Sequence, residues 1–192
     1  MKLGGNSLNI LGSERIITQN FSNHGNKGED YSGAHLSNIK TFGTGKVIRV
    51  VNKYRPHQDT INYDDFLKNK ETWKDVNYYN CISITGKKIR YYQDELGGNE
   101  VWIECYYNNK KIYLRFNHLA EVLVRVGDII DSDTIIGKQG NTGLVLSNKS
   151  KSDITYGSHV HFEVMDANYN HIHPRNYATG SIIVQYKEQS NP

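Results

Sequence analysis

Cysteine, proline and long apolar runs are all scarce in this chain. The 192 residues include only Cys81 and Cys105, neither the dense pattern of a disulfide framework nor the C-x-x-C spacing of a structural zinc site. No stretch approaches the roughly 20 consecutive apolar residues of a membrane span. The N-terminus, Met1-Lys2-Leu3-Gly4-Gly5-Asn6-Ser7-Leu8-Asn9-Ile10, lacks the apolar core of a secretory signal. The chain as given reads as soluble, either leaving the cell by another route or belonging to something larger. An excess of one charge is missing too: 23 Lys and Arg stand against 20 Asp and Glu, for a net charge of +3. The basic residues are spread along the chain instead of gathered in a block, which gives a nucleic-acid-binding face little support but leaves an anionic polymer possible as a partner.

What is present favours strands. Tyrosine is abundant at 14 residues while proline is limited to 3, and β-branched and aromatic enrichment suits a pleated, half-buried surface. The length suits one domain with elaborations and is short for two of usual size. Residues 1–18 read as a polar lead-in in which only Arg15-Ile16-Ile17-Thr18-Gln19 resembles a strand. A glycine turn then leads into the core strand Lys46-Val47-Ile48-Arg49-Val50-Val51. Residues 52–96 change texture to a charged, aromatic insertion with a helix expected over Tyr63 to Asp75, on which Phe66, Leu67 and Trp73 share a face. The insertion is either a surface subdomain with its own apolar cluster or a wall over a groove. His57, Asp59, Asp64 and Asp65 within it match no metal spacing and read as solvated or hydrogen-bonded. Two alternating runs around Asn108-Asn109 form a hairpin that delivers Asn117-His118-Leu119 at its end. Short strands with glycine turns follow between Val124 and Gly143, and residues 178–192 form a tail. Antiparallel strands of this kind close into a small barrel-like sandwich, so the fold class is mainly β.

The densest chemistry lies in Tyr156-Gly157-Ser158-His159-Val160-His161-Phe162-Glu163-Val164. On an extended strand His159 and His161 point to one face while Val160, Phe162 and Val164 supply packing. An isolated H-x-H decides little, but two other segments accompany it: His118 at the end of the hairpin and the glycine-rich Asn26-Lys27-Gly28-Glu29-Asp30. A second H-x-H, His171 and His173, lies beside Pro174 near the C-terminal edge and is not expected to ligate. His35 reads as an exposed or capping histidine.

The order of these pieces resembles the lysostaphin-type (LytM-like) zinc endopeptidases, whose pattern runs H-x-x-x-D, Y-x-H-L, a V-x-x-G-D stretch ending in G-x-T-G, and H-x-H-F-E. Val124-Arg125-Val126-Gly127-Asp128-Ile129, Ile136-Gly137, Gly140-Asn141-Thr142-Gly143 and His159-Val160-His161-Phe162-Glu163 match in sequence and order. The match spans about Gln19 to Tyr177 apart from the insertion, which makes 19–177 the expected domain. The resemblance implies hydrolysis of a peptide cross-link of bacterial peptidoglycan by zinc-activated water. It implies Asp30 and His161 as zinc ligands and His118 and His159 as the pair handling protons and the developing oxyanion. It puts Phe116, Asn117, Thr142 and Tyr156 along the substrate groove, walled by the insertion and the 144–158 loop.

Two positions depart from the pattern. The first ligand, histidine in the family, falls on Asn26, whose neutral amide oxygen is a poor zinc donor. Asn26 is then a natural loss, an introduced substitution that disables the enzyme, or a position bypassed by His24. That bypass needs a distorted loop, because His24 lies two residues, roughly 6–7 Å of extended chain, further back. The second departure is Phe116 in place of tyrosine, which removes a hydroxyl from the vicinity of the reacting carbonyl. The sequence therefore implies either a wall peptidase, its activity weakened or lost, or a degenerate domain that binds wall peptide or a partner in a phage tail, sporulation or surface complex. Both readings set the chain in the cell wall or a phage virion.

Overall fold

The computed structural model describes residues 8–41 and 44–176. Strands β1 (Leu8–Ile10) and β2 (Ser13–Gln19) form a hairpin turned by Leu11 and Gly12, both at positive φ, and β2 pairs antiparallel with β3 (Glu29–Ser32). The expected strand at 15–19 is thus longer and is part of the sheet. Its Arg15 is buried and hydrogen-bonds Gln139, Ser37 and the carbonyl of Asn38. After β4 (Asn38–Lys40) and β5 (Gly45–Val51) the chain enters the insertion, which comprises β6 (Thr60–Asn62), helix α1 (Tyr63–Trp73) and the hairpin β7 (Tyr78–Ile82) and β8 (Lys88–Tyr92). It returns as β9 (Asn99–Tyr107) and β10 (Lys110–Val122), followed by β11 (Ile129–Ile130), β12 (Ile135–Gln139), β13 (Gly143–Val145), β14 (Val160–Asp166) and β15 (His171–Ile172).

The main sheet runs β1-β2-β3-β14-β10-β9-β5-β11. Its β9–β10 hairpin closes through Asn108 and Asn109, both left-handed (φ 48° and 61°), the geometry that matches the twist of the flanking strands. β10 changes partners along its length: residues 112–117 pair with β14 and residues 119–122 with β12, which in turn pairs with β4. A register shift between Phe116 and Leu119 marks the bend, and this β-bulge curls the sheet around the core. Alternate residues of the central strands (Val101, Ile103, Leu114, Phe116, Val160, Phe162) fill that core. The opposite face of β10 and β14 carries Asn117, His161 and Glu163, so strand periodicity alone separates core from site.

The insertion has its own core of Val51, Tyr54, Ile61, Phe66, Tyr79, Cys81 and Tyr91, and it joins the main body where β6 pairs in parallel with β13. That is a parallel pair in an otherwise antiparallel fold. Helix α1 starts where the Asn62 side chain accepts the Asp65 amide at 2.8 Å, with Asp64 and Asp65 in the favourable first turn. It ends at Trp73, two residues short of the expected end, because Lys74 is extended. Phe66 and Trp73, seven residues apart, share the inner face (6.3 Å between rings), whereas Leu67 lies about 100° around the helix from Phe66 and is exposed. Among the described residues no helix is long and apolar enough to cross a membrane. The sequence-defined tail 178–192 lies outside the described residues.

Candidate metal centre and groove

Three donors converge at the mouth of the sheet. His24, Asp30 and His161 each offer a ligand atom within 4.8 Å of the others. β14 is held between β10 and β3 with His161 opposite Asn117 on one side and opposite Asp30 on the other. That register sets Asp30 Oδ1 2.8 Å from His161 Nδ1, with His24 Nε2 at 3.4 Å and His159 Nε2 at 3.6 Å.

His24 arrives by a turn and not by a strand. Residues 21–27 wind so that the amides of His24 and Asn26 both donate to the Phe21 carbonyl, at 3.2 and 2.9 Å. Gly25 and Asn26 follow one another in left-handed conformation (φ 65° and 58°), which glycine and asparagine tolerate best. These two residues take up the extra length between His24 and Asp30. Asn26 is exposed and outside the cluster; the histidine ring two residues earlier stands beside His161 instead, with ring centroids 4.3 Å apart. Gly28 then passes so close to His161 that a Cβ there would lie 2.7 Å from its Cε1.

His118 sits in the β10 bulge at φ 62°, its amide donating to the Gly97 carbonyl at 2.8 Å. Its Nδ1 donates to the Thr142 carbonyl at 2.8 Å, and His159 Nδ1 donates to the Gly157 carbonyl at 2.7 Å. With each Nδ1 carrying the proton, Nε2 is left as the basic atom of both rings, which lie 4.6 Å apart. Burial holds His118 well below the ordinary histidine range, and the neighbouring His159 and His161 add to this. Burial would raise the Asp30 carboxyl, but His159, His161 and His24 around it prevail and hold it well below the carboxylate range. For His161 burial opposes the charged ring, yet hydrogen bonds to Asp30 and Glu163 outweigh it and push its pKa up to about 9.

The cluster opens into a groove of about 860 Å³ whose lining includes Tyr63 and Leu96 of the insertion and Leu146, Asn148 and Lys149 of the 144–158 loop. The insertion therefore has its own core and also walls the groove. Of the four residues expected along the substrate path, only Asn117 lines it. Phe116 is fully buried against Phe162 at 4.9 Å and faces the core, so a tyrosine hydroxyl at this position would not reach the groove. Thr142 is buried, its hydroxyl donating to the Leu119 carbonyl at 2.9 Å and accepting the Asn99 amide at 2.9 Å, while its carbonyl orients His118. Tyr156 is buried and its hydroxyl accepts from Asn62 Nδ2 at 2.6 Å. Thr142 and Tyr156 thus build the groove without facing it.

The remaining candidates behave as polar structure. Asp59 is buried and bonded to the Arg55 amide at 2.8 Å and to Lys87, Asp65 pairs with Lys151, and His57 Nε2 donates to the Lys151 carbonyl at 2.9 Å. His35 Nδ1 bonds Ser158 Oγ at 2.9 Å, and burial, with Lys149 nearby, lowers its pKa. One contributor that the sequence reading left without a role is Glu163, whose Oε1 accepts from His161 Nε2 at 3.2 Å. Its position two residues beyond His161, on the same strand face, was the available signal.

No curated protein matches the chain. Among solved structures it is similar to LytU, at 23% identity over 78% of this chain and 70% of that one (TM-score 0.45). It is also similar to the catalytic domain of a point mutant of the prophage-encoded M23 protein EnpA from Enterococcus faecalis, at 17% identity over 79% and 77% (TM-score 0.44). A third is the catalytic domain of the antimicrobial peptidase lysostaphin from Staphylococcus simulans, at 17% identity over 90% and 89% (TM-score 0.43). The family model that matches covers residues 24–174, so that it begins on the histidine delivered by the turn, and the chain belongs to peptidase family M23.

Proposed function

We propose that the protein is an active zinc endopeptidase that hydrolyses a peptide bond in the cross-links of bacterial peptidoglycan, with His24, Asp30 and His161 as the metal ligands. The observation that carries this reading is the convergence of two imidazoles and one carboxylate within 4.8 Å. Tetrahedral ligands about 2.1 Å from a zinc ion lie about 3.4 Å from one another. The separations of 3.4 Å for His24 and 2.8 Å for His161 from Asp30 are within small side-chain adjustments of that value. The carboxylate of Glu163 behind His161 is the outer partner a metal-binding imidazole needs to fix its tautomer. A zinc ion held at that position by these three donors would supply a Lewis acid for activating water.

Around that position the chain's own residues have separable tasks. His118 and His159 expose Nε2 because each Nδ1–H is committed to a backbone carbonyl. The depressed pKa of His118 keeps it neutral near pH 7, able to take a proton from attacking water. The proton taken by His118 is then available for the leaving amine, directly or through the His159 ring 4.6 Å away, whose Nε2 lies 3.6 Å from Asp30 and faces the developing oxyanion. Asn117 and Tyr63, both lining the groove, hold the substrate chain across the cluster. Of the two departures from the family pattern, Asn26 stands outside the cluster and Phe116 faces the core.

The test is metal content after purification without chelator, paired with release of new amino groups from bacterial walls. The expected outcome is about one zinc per chain and chelator-sensitive cleavage restored by zinc. A protein that takes up no zinc and cleaves no wall peptide would return the argument to a binding module.

A further inference from the structure

The second H-x-H and the arginine after it take no part in the cluster, yet each touches a residue that holds one of its segments. His171 Nε2 donates to Glu163 Oε2 at 2.7 Å, while Glu163 Oε1 accepts from His161 Nε2 at 3.2 Å. Glu163 is buried and also accepts from Arg115 Nη1 at 3.2 Å and Asn117 Nδ2 at 3.3 Å. A carboxylate so fully engaged cannot swing, and it fixes both the ring plane and the tautomer of His161, turning Nδ1 toward Asp30.

A few residues on, the same segment reaches the residues that hold the His24 turn. The His173 ring stacks on Phe21 with centroids 4.9 Å apart, and Arg175 grips Glu29, with Nη2 at 3.0 Å and Nε at 3.1 Å from Oε1. Glu29 is fully buried. Its Oε1 also accepts the Phe21 amide at 3.1 Å and its Oε2 the Tyr31 hydroxyl at 2.6 Å. Phe21 opens the turn that carries His24, and its carbonyl holds the amides of His24 and Asn26. The segment itself is fixed, because β15 pairs with β14 and the buried Pro174 starts a short 3-10 turn that carries Arg175.

We propose that residues 171–175 are a clamp that positions both metal-binding segments at once. His171 acts through Glu163 on His161, and His173 with Arg175 acts through Phe21 and Glu29 on the His24 turn. These are positioning residues; none reaches the reacting atoms. The inference rests on the metal reading above for its consequence, but its mechanical part concerns the metal-free chain. Two arms anchored on one five-residue segment also explain why a turn with two left-handed residues keeps His24 beside His161.

Two variants of the full chain test it. His171→Ala removes one arm. The paired Glu29→Gln/Arg175→Met variant removes the other without leaving a buried charge unpaired. Zinc affinity is read by competition with a chromophoric chelator, and the order of the turn by amide hydrogen exchange over residues 20–28 in the metal-free protein. Each variant is expected to weaken zinc binding by about 10–100-fold. Only the paired variant should speed exchange over 20–28, and His171→Gln, whose amide can still donate to Glu163, should recover most of the affinity. Unchanged zinc affinity in both variants together with unchanged exchange overturns the clamp, as does an affinity loss that is equal in His171→Ala and His171→Gln with no change in exchange. If wild type takes up no zinc but the paired variant still frees 20–28, the metal reading falls while the clamp on the turn stands.

Discussion

The two halves of the site are built by opposite means. On β14, His161 and Glu163 stand on one strand locked between β3 and β10, with His159 just before it bridged to Gly140, so their directions follow from a period of two and a fixed register. On the other side, His24 hangs from a turn of residues 21–27 whose shape depends on two left-handed residues, a carbonyl shared by two amides, and contacts from the C-terminal segment. The strand half tolerates little change in spacing, because a shift of one residue would turn both histidines to the core. The turn half tolerates an added pair of residues, because a loop can absorb length that a ladder cannot. A ligand spacing is therefore a strong signature on a strand and a weak one in a turn.

The largest expected effect tests that contrast directly. His24→Ala should lose zinc and reduce wall hydrolysis to the background of a protein-free assay, as should His161→Ala. Asn26→Gly, which keeps the left-handed backbone, should leave both within error of wild type, since its side chain is exposed and outside the cluster. If instead Asn26→Gly loses the metal and His24→Ala does not, the turn delivers the wrong residue and the comparison collapses.

Next in size is the removal of either imidazole to which the proposed mechanism assigns the proton. His118→Ala and His159→Ala should each lower kcat by about 10²–10⁴-fold while zinc content stays near one per chain. A loss of zinc in either variant would make that histidine part of the metal-holding set. The two also sit differently in the fold. His118 is buried at a left-handed position in a bulge and His159 lies just before β14, so His118→Ala, which keeps the Cβ and leaves the Thr142 carbonyl without its donor, should also cost stability.

A smaller effect probes the contact between the halves. Gly28 passes against His161, and a Cβ there would lie 2.7 Å from Cε1 and 2.7 Å from the backbone oxygen of Phe162. Gly28→Ala should therefore cost about 1–3 kcal/mol in denaturant unfolding, as overpacking does, and should weaken zinc binding by displacing His161. A stable variant with unchanged metal affinity would mean that the turn can retreat without moving the ligand.

The same difference decides what could be read from the sequence. The β9–β10 hairpin, the strand pair at 159–164 and the separation of core from site residues were legible because alternation is local, and Asn108-Asn109 carries its own turn chemistry. His118 was legible as a site residue through its neighbours, although the bulge that aims it was not, since bulges depend on which strand lies alongside. An extended segment would favour Asn26 over His24 by spacing, and the turn that brings His24 to Asp30 instead depends on contacts the sequence does not display. Phe116, Thr142 and Tyr156 belong to motifs that adjoin the site, but motif membership does not say which way a side chain points: Phe116 falls on the core face and the other two spend their hydroxyls inside the fold. The insertion's second core could be anticipated from its aromatic residues, whereas the pairing of β6 with β13, a contact between distant segments, could not.

That pairing makes the insertion a third way of building the site, and its contribution should be the smallest. Tyr63 is the first residue of α1, just after Asn62, whose side chain caps the helix and also bonds Tyr156 on the 144–158 loop. Tyr63 is 41% exposed and lines the groove together with Leu146. It lies outside the metal cluster, so its expected contribution is contact that substrate makes equally before and during bond cleavage, which raises affinity without touching the chemical step. Tyr63→Ala should therefore raise KM by about 2–10-fold, the equivalent of about 0.5–1.5 kcal/mol of aromatic contact, and leave kcat unchanged. A fall in kcat with KM unchanged would instead tie the insertion to the geometry of the reacting groups, and the wall would then have to act through β13 on the Thr142 carbonyl that holds His118.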